Sequence, residues 1–151
     1  DKLCQIEQLG DIFSYSKVKE VLMAHKLGHT VPSRYSGADG YEPGCTLGSE
    51  YKSTIGKNIQ ATYHGISVQD TWELQLEYLK KEKILKYPKH YYARFEGISI
   101  AEIWMLEAKV VLKLLLPKLK RNYLNIKNLK DPRLGASISK RDIYQYGKRI
   151  I

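Results

Sequence analysis

Apolar residues recur at two different spacings along the chain, and each spacing predicts one kind of element. Three stretches repeat them every three or four positions, as on one face of a helix. They predict helices over roughly 15–27, 68–83 and 107–116. Pro117 should kink or stop the third helix, because proline has no amide hydrogen to donate and its ring clashes with the preceding turn.

Shorter stretches that are rich in β-branched and aromatic residues predict strands. Residues 29–31 and 49–54 flank a segment rich in Gly, Pro and Ser, and we expect them to form a hairpin or two neighbouring strands. Residues 91–95 and 98–105, separated at a glycine, predict a strand pair. The tail over 126–151 is interrupted by Gly and Pro and offers at most short strands.

The order of these elements predicts the fold class. Helix, strands, helix, strands and helix in succession indicate an α/β or α+β core, with a central mixed β-sheet flanked by helices. The length of 151 residues is typical of one compact domain, so we predict a single domain over 1–151. Hydrophobic residues make up 43% and charged residues 27%, which is ordinary globular usage and argues against disorder, a collagen helix or a coiled coil.

Other sequence features bear on the compartment. No apolar run approaches the roughly 18 residues that a membrane span needs, and no charged-then-apolar leader opens the sequence. Cys4 and Cys45 form neither a C-x-x-C pair nor a disulfide framework. We therefore expect a cytoplasmic protein with no membrane association.

Positive charge is concentrated toward the C-terminal end of the sequence. The chain has 25 Lys and Arg against 16 Asp and Glu, a formal net charge of +9. Residues 109–151 hold 12 basic and 2 acidic side chains, whereas residues 1–108 hold 13 and 14. Such a one-sided field attracts polyanions, which points to nucleic acid or an anionic membrane surface. Solvated lysines that keep the protein soluble explain the charge equally well.

Two acidic residues and a lysine form the candidate chemistry. Asp39 and Glu50 offer hard oxygen ligands of the kind that Mg²⁺ prefers, 11 residues apart. On a strand, the two-residue spacing of Glu50 and Lys52 turns both side chains to one face. A lysine ammonium there could orient the attacking water and neutralise charge on a phosphate. Alternatively, the pair is an ordinary exposed strand pattern and Asp39 makes a turn in its glycine-rich loop.

Six segments in order carry a resemblance to a known family. They are Gly10-Asp11-Ile12-Phe13, Leu27-Gly28-His29-Thr30-Val31, Gly37-Ala38-Asp39-Gly40-Tyr41-Glu42, Glu50-Tyr51-Lys52-Ser53, Tyr91 through Ile103, and Leu106-Glu107-Ala108-Lys109. Their order and spacing, over most of the chain, resemble those of the PvuII-type restriction endonucleases, small homodimeric members of the PD-(D/E)XK nuclease superfamily. The resemblance implies a restriction-endonuclease-like core.

The resemblance also implies roles for individual residues. Asp39 and Glu50 would be ligands of Mg²⁺, for which Mn²⁺ may substitute, and Lys52 would be the catalytic lysine. Asp11 would be the acidic residue that touches DNA near the minor groove and supports cleavage, although an ordinary loop or helix-entry aspartate is an equally good interpretation of Asp11. Glu42 lies where the family has a second acid.

DNA contacts are predicted in two further regions. The segment around His64 resembles the family's histidine-bearing segment, which reaches bases in the major groove, but the family's run of histidines is reduced here to one. Base identity is therefore not transferred. Nearby or C-terminal residues of suitable chemistry are Lys57, Asn58, Gln60, Arg133 and Lys140. Solvated polar side chains explain these residues as simply.

The function that the resemblance implies is a type II restriction endonuclease, which would come from a prokaryote or virus. Such an enzyme would act as a homodimer on double-stranded DNA and hydrolyse each strand at a short palindromic site with Mg²⁺. A cognate methyltransferase acting on the same site is a possible counterpart, without a physical complex. Two alternatives stay open: a repair or homing nuclease with the same core, and a non-catalytic basic module that binds nucleic acid.

Overall fold

A mixed four-stranded sheet and a smaller two-stranded sheet organise the fold in the computed structural model, which describes residues 16–32 and 37–151. The elements in chain order are α1 (Ser16–Leu27), β1 (Ser49–Ile55), β2 (Ala61–Ser67), α2 (Trp72–Tyr78), a π-helical turn (Leu79–Lys83), a 3₁₀ turn (Ile84–Lys86), β3 (Lys89–Glu96), β4 (Ser99–Glu107), α3 (Ala108–Ile126), β5 (Arg133–Ile138), α4 (Lys140–Tyr146) and β6 (Lys148–Arg149). This arrangement confirms the predicted mixed α/β class.

The larger sheet has the strand order β1-β3-β4-β6. Strands β1 and β3 are parallel, and the other neighbours are antiparallel. Strands β2 and β5 form the smaller sheet as an antiparallel pair. The predicted strands at 49–54, 91–95 and 98–105 are confirmed as β1, β3 and β4. Among the described residues, no helix has both the length and the apolar character to span a bilayer.

Two apolar clusters hold the sheets and helices together. The larger one joins α3 to the β2–β5 pair through residues such as Leu115, Tyr63 and Leu134. The smaller one packs α1 against the four-stranded sheet through residues that include Met23 and Phe95. Alternate residues of β3 enter the two clusters, Tyr92 the larger and Tyr91 and Ala93 the smaller, so the clusters lie on opposite faces of the four-stranded sheet.

Helix α3 continues through Pro117, so the expectation that the helix would stop near residue 116 is wrong. It runs from Ala108 to Ile126, and its buried positions keep helical spacing beyond the proline at Leu119 and Tyr123. An interior proline costs a helix about 3 kcal/mol. Burying one leucine side chain contributes about 1.5–3 kcal/mol, so two large buried side chains beyond the proline offset its cost.

The C-terminal segment contains a helix that was not predicted. The short strands β5 and β6 agree with the expectation for 126–151, but α4 lies between them. The hydroxyl of Ser139 caps α4 by accepting a hydrogen bond from the amide of Asp142 at 3.3 Å. Gly147 follows the last helical residue. This Ser-x-x-Asp spacing with a terminal glycine is a helix signature, which an interpretation of Gly147 as a breaker misses.

The second helix begins later than predicted, and a strand precedes it. Thr71 caps α2 by accepting a hydrogen bond from the amide of Leu74 at 3.2 Å, so the helix starts at residue 72 rather than 68. Strand β2 was not predicted. Its alternation is nevertheless visible in the sequence. Ala61 and Tyr63, which are buried in the structure, alternate with the polar residues Thr62 and His64, which are exposed.

Candidate active site

Asp39 belongs to a short segment that lies between Thr30 on one side and the start of strand β1 on the other. Thr30 forms an antiparallel bridge with Tyr41, and Gly40 forms one with Ser49 at the start of β1. The two strands of the predicted hairpin therefore do not pair with each other, and that prediction is wrong. The segment that carries Asp39 separates them, which brings its carboxylate to the edge of the sheet.

Two glycines allow this segment to approach β1 closely. A Cβ atom on Gly40 would lie 2.1 Å from the hydroxyl oxygen of Tyr51, and one on Gly48 would lie 1.9 Å from the Cβ of Ala38. Real Cβ atoms do not come so close to other heavy atoms, so a side chain at either position would push the segment away from the strand. The glycines thus fix how near Asp39 comes to β1.

The carboxylate of Asp39 is tied to β1 and carries an unfavourable charge. The amide of Tyr51 donates a hydrogen bond to Asp39 Oδ2 at 2.8 Å. Burial, followed by the negative charge of Glu50, raises the pKa of Asp39 to about 7; Glu20 acts in the same direction, while the amide hydrogen bond and Lys52 act against it. A second carboxylate nearby makes a bound cation favourable at this position.

Glu50 and Lys52 share one face of β1, and both are close enough to Asp39 for their charges to act on its pKa. Their side chains form an ion pair, with Lys52 Nζ 2.8 Å from Glu50 Oε1, as their two-residue spacing predicts. The side chains are 23% and 28% exposed, so the pair is accessible to a ligand without being fully solvated. The three predicted catalytic residues among the described part of the chain therefore lie together.

A buried chain of hydrogen bonds lies beneath Lys52. Tyr63 Oη is 2.6 Å from His90 Nδ1 and 2.7 Å from the hydroxyl of Tyr92. His90 Nε2 is 2.9 Å from the carbonyl oxygen of Ile84, which can only accept, so Nε2 carries the proton. Because burial lowers the pKa of His90, the ring is neutral near pH 7 and Nδ1 accepts from Tyr63, which in turn accepts from Tyr92.

The ion pair faces an open pocket of about 280 Å³ that Glu50, Lys52, Tyr63, His64 and Tyr87 help to line. A second pocket, of about 380 Å³, lies between α1 and the strands β1 and β2. Lys52 and His64 line both pockets and therefore lie on their shared wall. Lys52 thus lies between the two pockets.

The carboxylate pair is compatible with Mg²⁺. Within residues 16–32 and 37–151, no three or more His, Cys, Asp or Glu side chains gather as a metal cluster. Mg²⁺ does not need such a cluster, because it is commonly held by one or two carboxylates and keeps several waters. Asp39 and Glu50 supply that number of ligands, and the raised pKa of Asp39 reflects a site in which positive charge is favourable.

The predicted DNA-binding residues fall into three groups. Gln60 and His64 lie in the second pocket next to Lys52, so they are close to the candidate catalytic residues. Lys140 Nζ donates to Asn58 Oδ1 at 3.2 Å near one end of the β2–β5 sheet, and Lys57 is exposed in the same β1–β2 connection. Arg133 is exposed at the other end of that sheet, where it donates to the hydroxyl of Ser67 at 3.2 Å.

No protein-family model matches this chain, and no curated protein matches it. Asp11, the fourth predicted catalytic residue, lies outside the described residues.

The sequence did not identify the tyrosine beneath Lys52. Lys52 Nζ lies 5.0 Å from the centre of the Tyr63 ring, within the range of a cation–π contact. A sequence signal for its position exists, because in a strand Tyr63 must face opposite to both of its neighbours.

Proposed function

We propose that this protein is a magnesium-dependent endonuclease that hydrolyses both strands of DNA at a short palindromic site, as type II restriction endonucleases do. The observation that carries the proposal is that Glu50 and Lys52 line one pocket at the edge of a mixed sheet, where Asp39 is bonded to the amide between them and is close enough to both for their charges to act on its pKa. The mixed sheet flanked by helices is compatible with a restriction-endonuclease-like core.

Each of the three side chains has a distinct task in this proposal. Asp39 and Glu50 would hold Mg²⁺, which when bound supplies positive charge at the phosphate and makes water more acidic. The ammonium of Lys52 would donate hydrogen bonds to the attacking water or to a phosphate oxygen, where negative charge develops. The ion pair with Glu50 places the ammonium beside the carboxylate before DNA binds.

The outer face of the β2–β5 sheet is the surface proposed to read DNA. Thr62 pairs with Ser137 and Ser67 pairs with Arg133 across the two strands, and all four side chains are polar. The seven residues of β2 extend over about 20 Å, which equals roughly six base steps of DNA. His64 lies on this strand and also lines the pockets beside Lys52, so recognition and cleavage would be neighbours.

Cleavage of supercoiled plasmid DNA with Mg²⁺ tests the proposal. Lys52→Ala and Glu50→Gln should each lower the cleavage rate by at least about 100-fold while DNA affinity changes little, because both groups act on the reacting phosphate. Lys81→Ala and Glu77→Gln are the matched controls, since Glu77 and Lys81 form an exposed ion pair outside the pockets. The controls should cut at the wild-type rate.

The pattern of products separates the proposal from its alternatives. Discrete fragments with mapped, symmetric ends support a site-specific enzyme, and a dimer in sedimentation measurements with a palindromic duplex would accompany them. Nicks at junctions or at one long asymmetric site would indicate a repair or homing nuclease. Salt-dependent binding without any product at any Mg²⁺ or Mn²⁺ concentration would overturn the enzyme in favour of a binding module.

A further inference from the structure

The ammonium group of Lys52 contacts two groups. Glu50 Oε1 lies 2.8 Å from Nζ, and the centre of the Tyr63 ring lies 5.0 Å from it. An ion pair that is partly open to water orders a lysine weakly, because solvent screens the charges and the four-carbon side chain keeps many rotamers. A second contact, with an aromatic face, removes some of those rotamers.

The ring of Tyr63 is itself fixed. It is 7% exposed, and its hydroxyl bonds to both His90 and Tyr92. In the parallel register of β1 and β3, His90 is the partner of Glu50 and Tyr92 is the partner of Lys52. The two residues that bond to the Tyr63 hydroxyl are therefore the β3 partners of the two residues that form the ion pair on β1.

We propose that Tyr63 is a positioning residue for Lys52, and that its ring, anchored through its hydroxyl by His90 and Tyr92, holds the ammonium against Glu50 at the pocket. The catalytic consequence of this inference rests on the proposed nuclease function, whereas the contact itself does not. The position of Tyr63 on β2 adds a link, because His64, the next residue, lines the pocket and belongs to the strand proposed to read DNA.

Two substitutions isolate the role of the ring. Tyr63→Phe keeps the ring and loses the hydroxyl, whereas Tyr63→Leu loses both. Any cost of leaving His90 and Tyr92 without their hydroxyl partner is thus common to the two variants. A difference between them reports the ring alone. Tyr78→Leu is the control, because it removes another ring from beneath a lysine, Lys83, with its Nζ 5.8 Å from the ring centre.

Nuclear magnetic resonance tests the contact without any need for catalysis. The Lys52 side-chain methylene protons should be shifted upfield by the ring current in the wild type and in Tyr63→Phe, and the shift should be lost in Tyr63→Leu. Wild-type methylene shifts equal to those of an exposed lysine would overturn the proposed contact. Because the measurement uses the protein alone, it decides the geometry even if no DNA is cut.

Plasmid cleavage then tests the catalytic consequence. We expect kcat of Tyr63→Leu to be about tenfold below that of Tyr63→Phe, with KM for DNA unchanged, because the ring is 7% exposed and acts through the lysine. The control should have the kcat of the wild type. Equal kcat values for the leucine and phenylalanine variants would overturn the positioning role.

A graded ring series keeps the test decisive if the leucine variant does not fold. Phenylalanine and 3,4,5-trifluorophenylalanine at position 63 have nearly the same shape, but fluorine withdraws the negative charge from the ring face. We expect the fluorinated protein to have a kcat about fivefold lower and a smaller fraction of ordered Lys52. Identical kcat values for the two rings would overturn the cation–π contribution.

Discussion

Replacing Asp39 by Asn should stabilise the folded protein at pH 8, with an effect that disappears in acid. Asn has almost the same shape, and its side-chain oxygen can still accept the hydrogen bond that Tyr51 N donates at 2.8 Å. It cannot carry the negative charge that burial and Glu50 make unfavourable. The substitution therefore removes an electrostatic cost and keeps the local structure.

The size of the effect follows from the raised pKa. The folded state holds the Asp39 proton more tightly than the unfolded chain, because the pKa rises from 3.8 to about 7. The stability from this group is complete below about pH 4 and is lost as the pH rises through about 7. Between pH 5 and pH 8 the loss is about 2.7 kcal/mol at 1.36 kcal/mol per pKa unit, which solvent screening of the partly exposed carboxyl reduces to about 1.3 kcal/mol.

Urea unfolding followed by tryptophan fluorescence at pH 5 and pH 8 measures this difference. Asp39→Asn should gain about 1.3 kcal/mol relative to the wild type on going from pH 5 to pH 8, or roughly 4 °C in Tm for a protein of this size. An equal difference between the two proteins at both pH values would refute the reasoning. So would a variant less stable than the wild type at pH 8.

The remaining predictions concern packing, a buried ion pair and DNA. Gly40→Ala should lower the free energy of unfolding by about 1–3 kcal/mol, and adding Tyr51→Phe should restore part of it, because the new Cβ would lie 2.1 Å from the tyrosine hydroxyl oxygen; additive losses in thermal unfolding would contradict this. Glu102 and Glu96 both pair with Arg94, but the Glu102 side chain is 9% exposed and that of Glu96 is 66% exposed. Glu102→Ala should therefore lower the free energy of unfolding by about 3 kcal/mol and Glu96→Ala by less than about 1 kcal/mol, and equal shifts in Tm would contradict this. Arg133→Ala should reduce the slope of log affinity against log salt for a DNA duplex by about 1 in fluorescence anisotropy, and an unchanged slope would exclude a phosphate contact at this residue.

The sequence predicted best those elements for which local conformational preference and tertiary packing favour the same structure. The β3–β4 pair is rich in β-branched and aromatic residues, and Gly97 adopts a positive φ of 61° between the strands. Local preference and tertiary packing favour the same structure there. At Pro117 they conflict, and the burial of Leu119 and Tyr123 decides the outcome. A single sequence shows the proline directly, whereas the burial beyond it depends on a partner sheet that is not local.

The same distinction applies to the candidate site. Glu50 and Lys52 could be paired from the sequence, because they lie on one strand and the period of two fixes their relative direction. Tyr63 and His90 could not, because 27 residues separate them and only the register of β1 with β3 and the position of β2 bring them together. Sequence spacing thus predicts contacts within an element, and strand order determines those between elements.

The cost of the charge on Asp39 also bears on function. A fold selected for stability alone gains nothing from a carboxylate whose pKa burial and a second carboxylate raise to about 7. Electrostatic costs of this kind are concentrated at functional sites, where a ligand relieves them. At pH 8, Mg²⁺ should therefore raise the free energy of unfolding of the wild type and have little effect on that of Asp39→Asn. NaCl at the same ionic strength should change the free energy of unfolding of the two proteins equally. Equal stabilisation of the wild type by both salts would mean that the salts only screen the charges of Asp39 and Glu50, and the proposed metal site would then have no support.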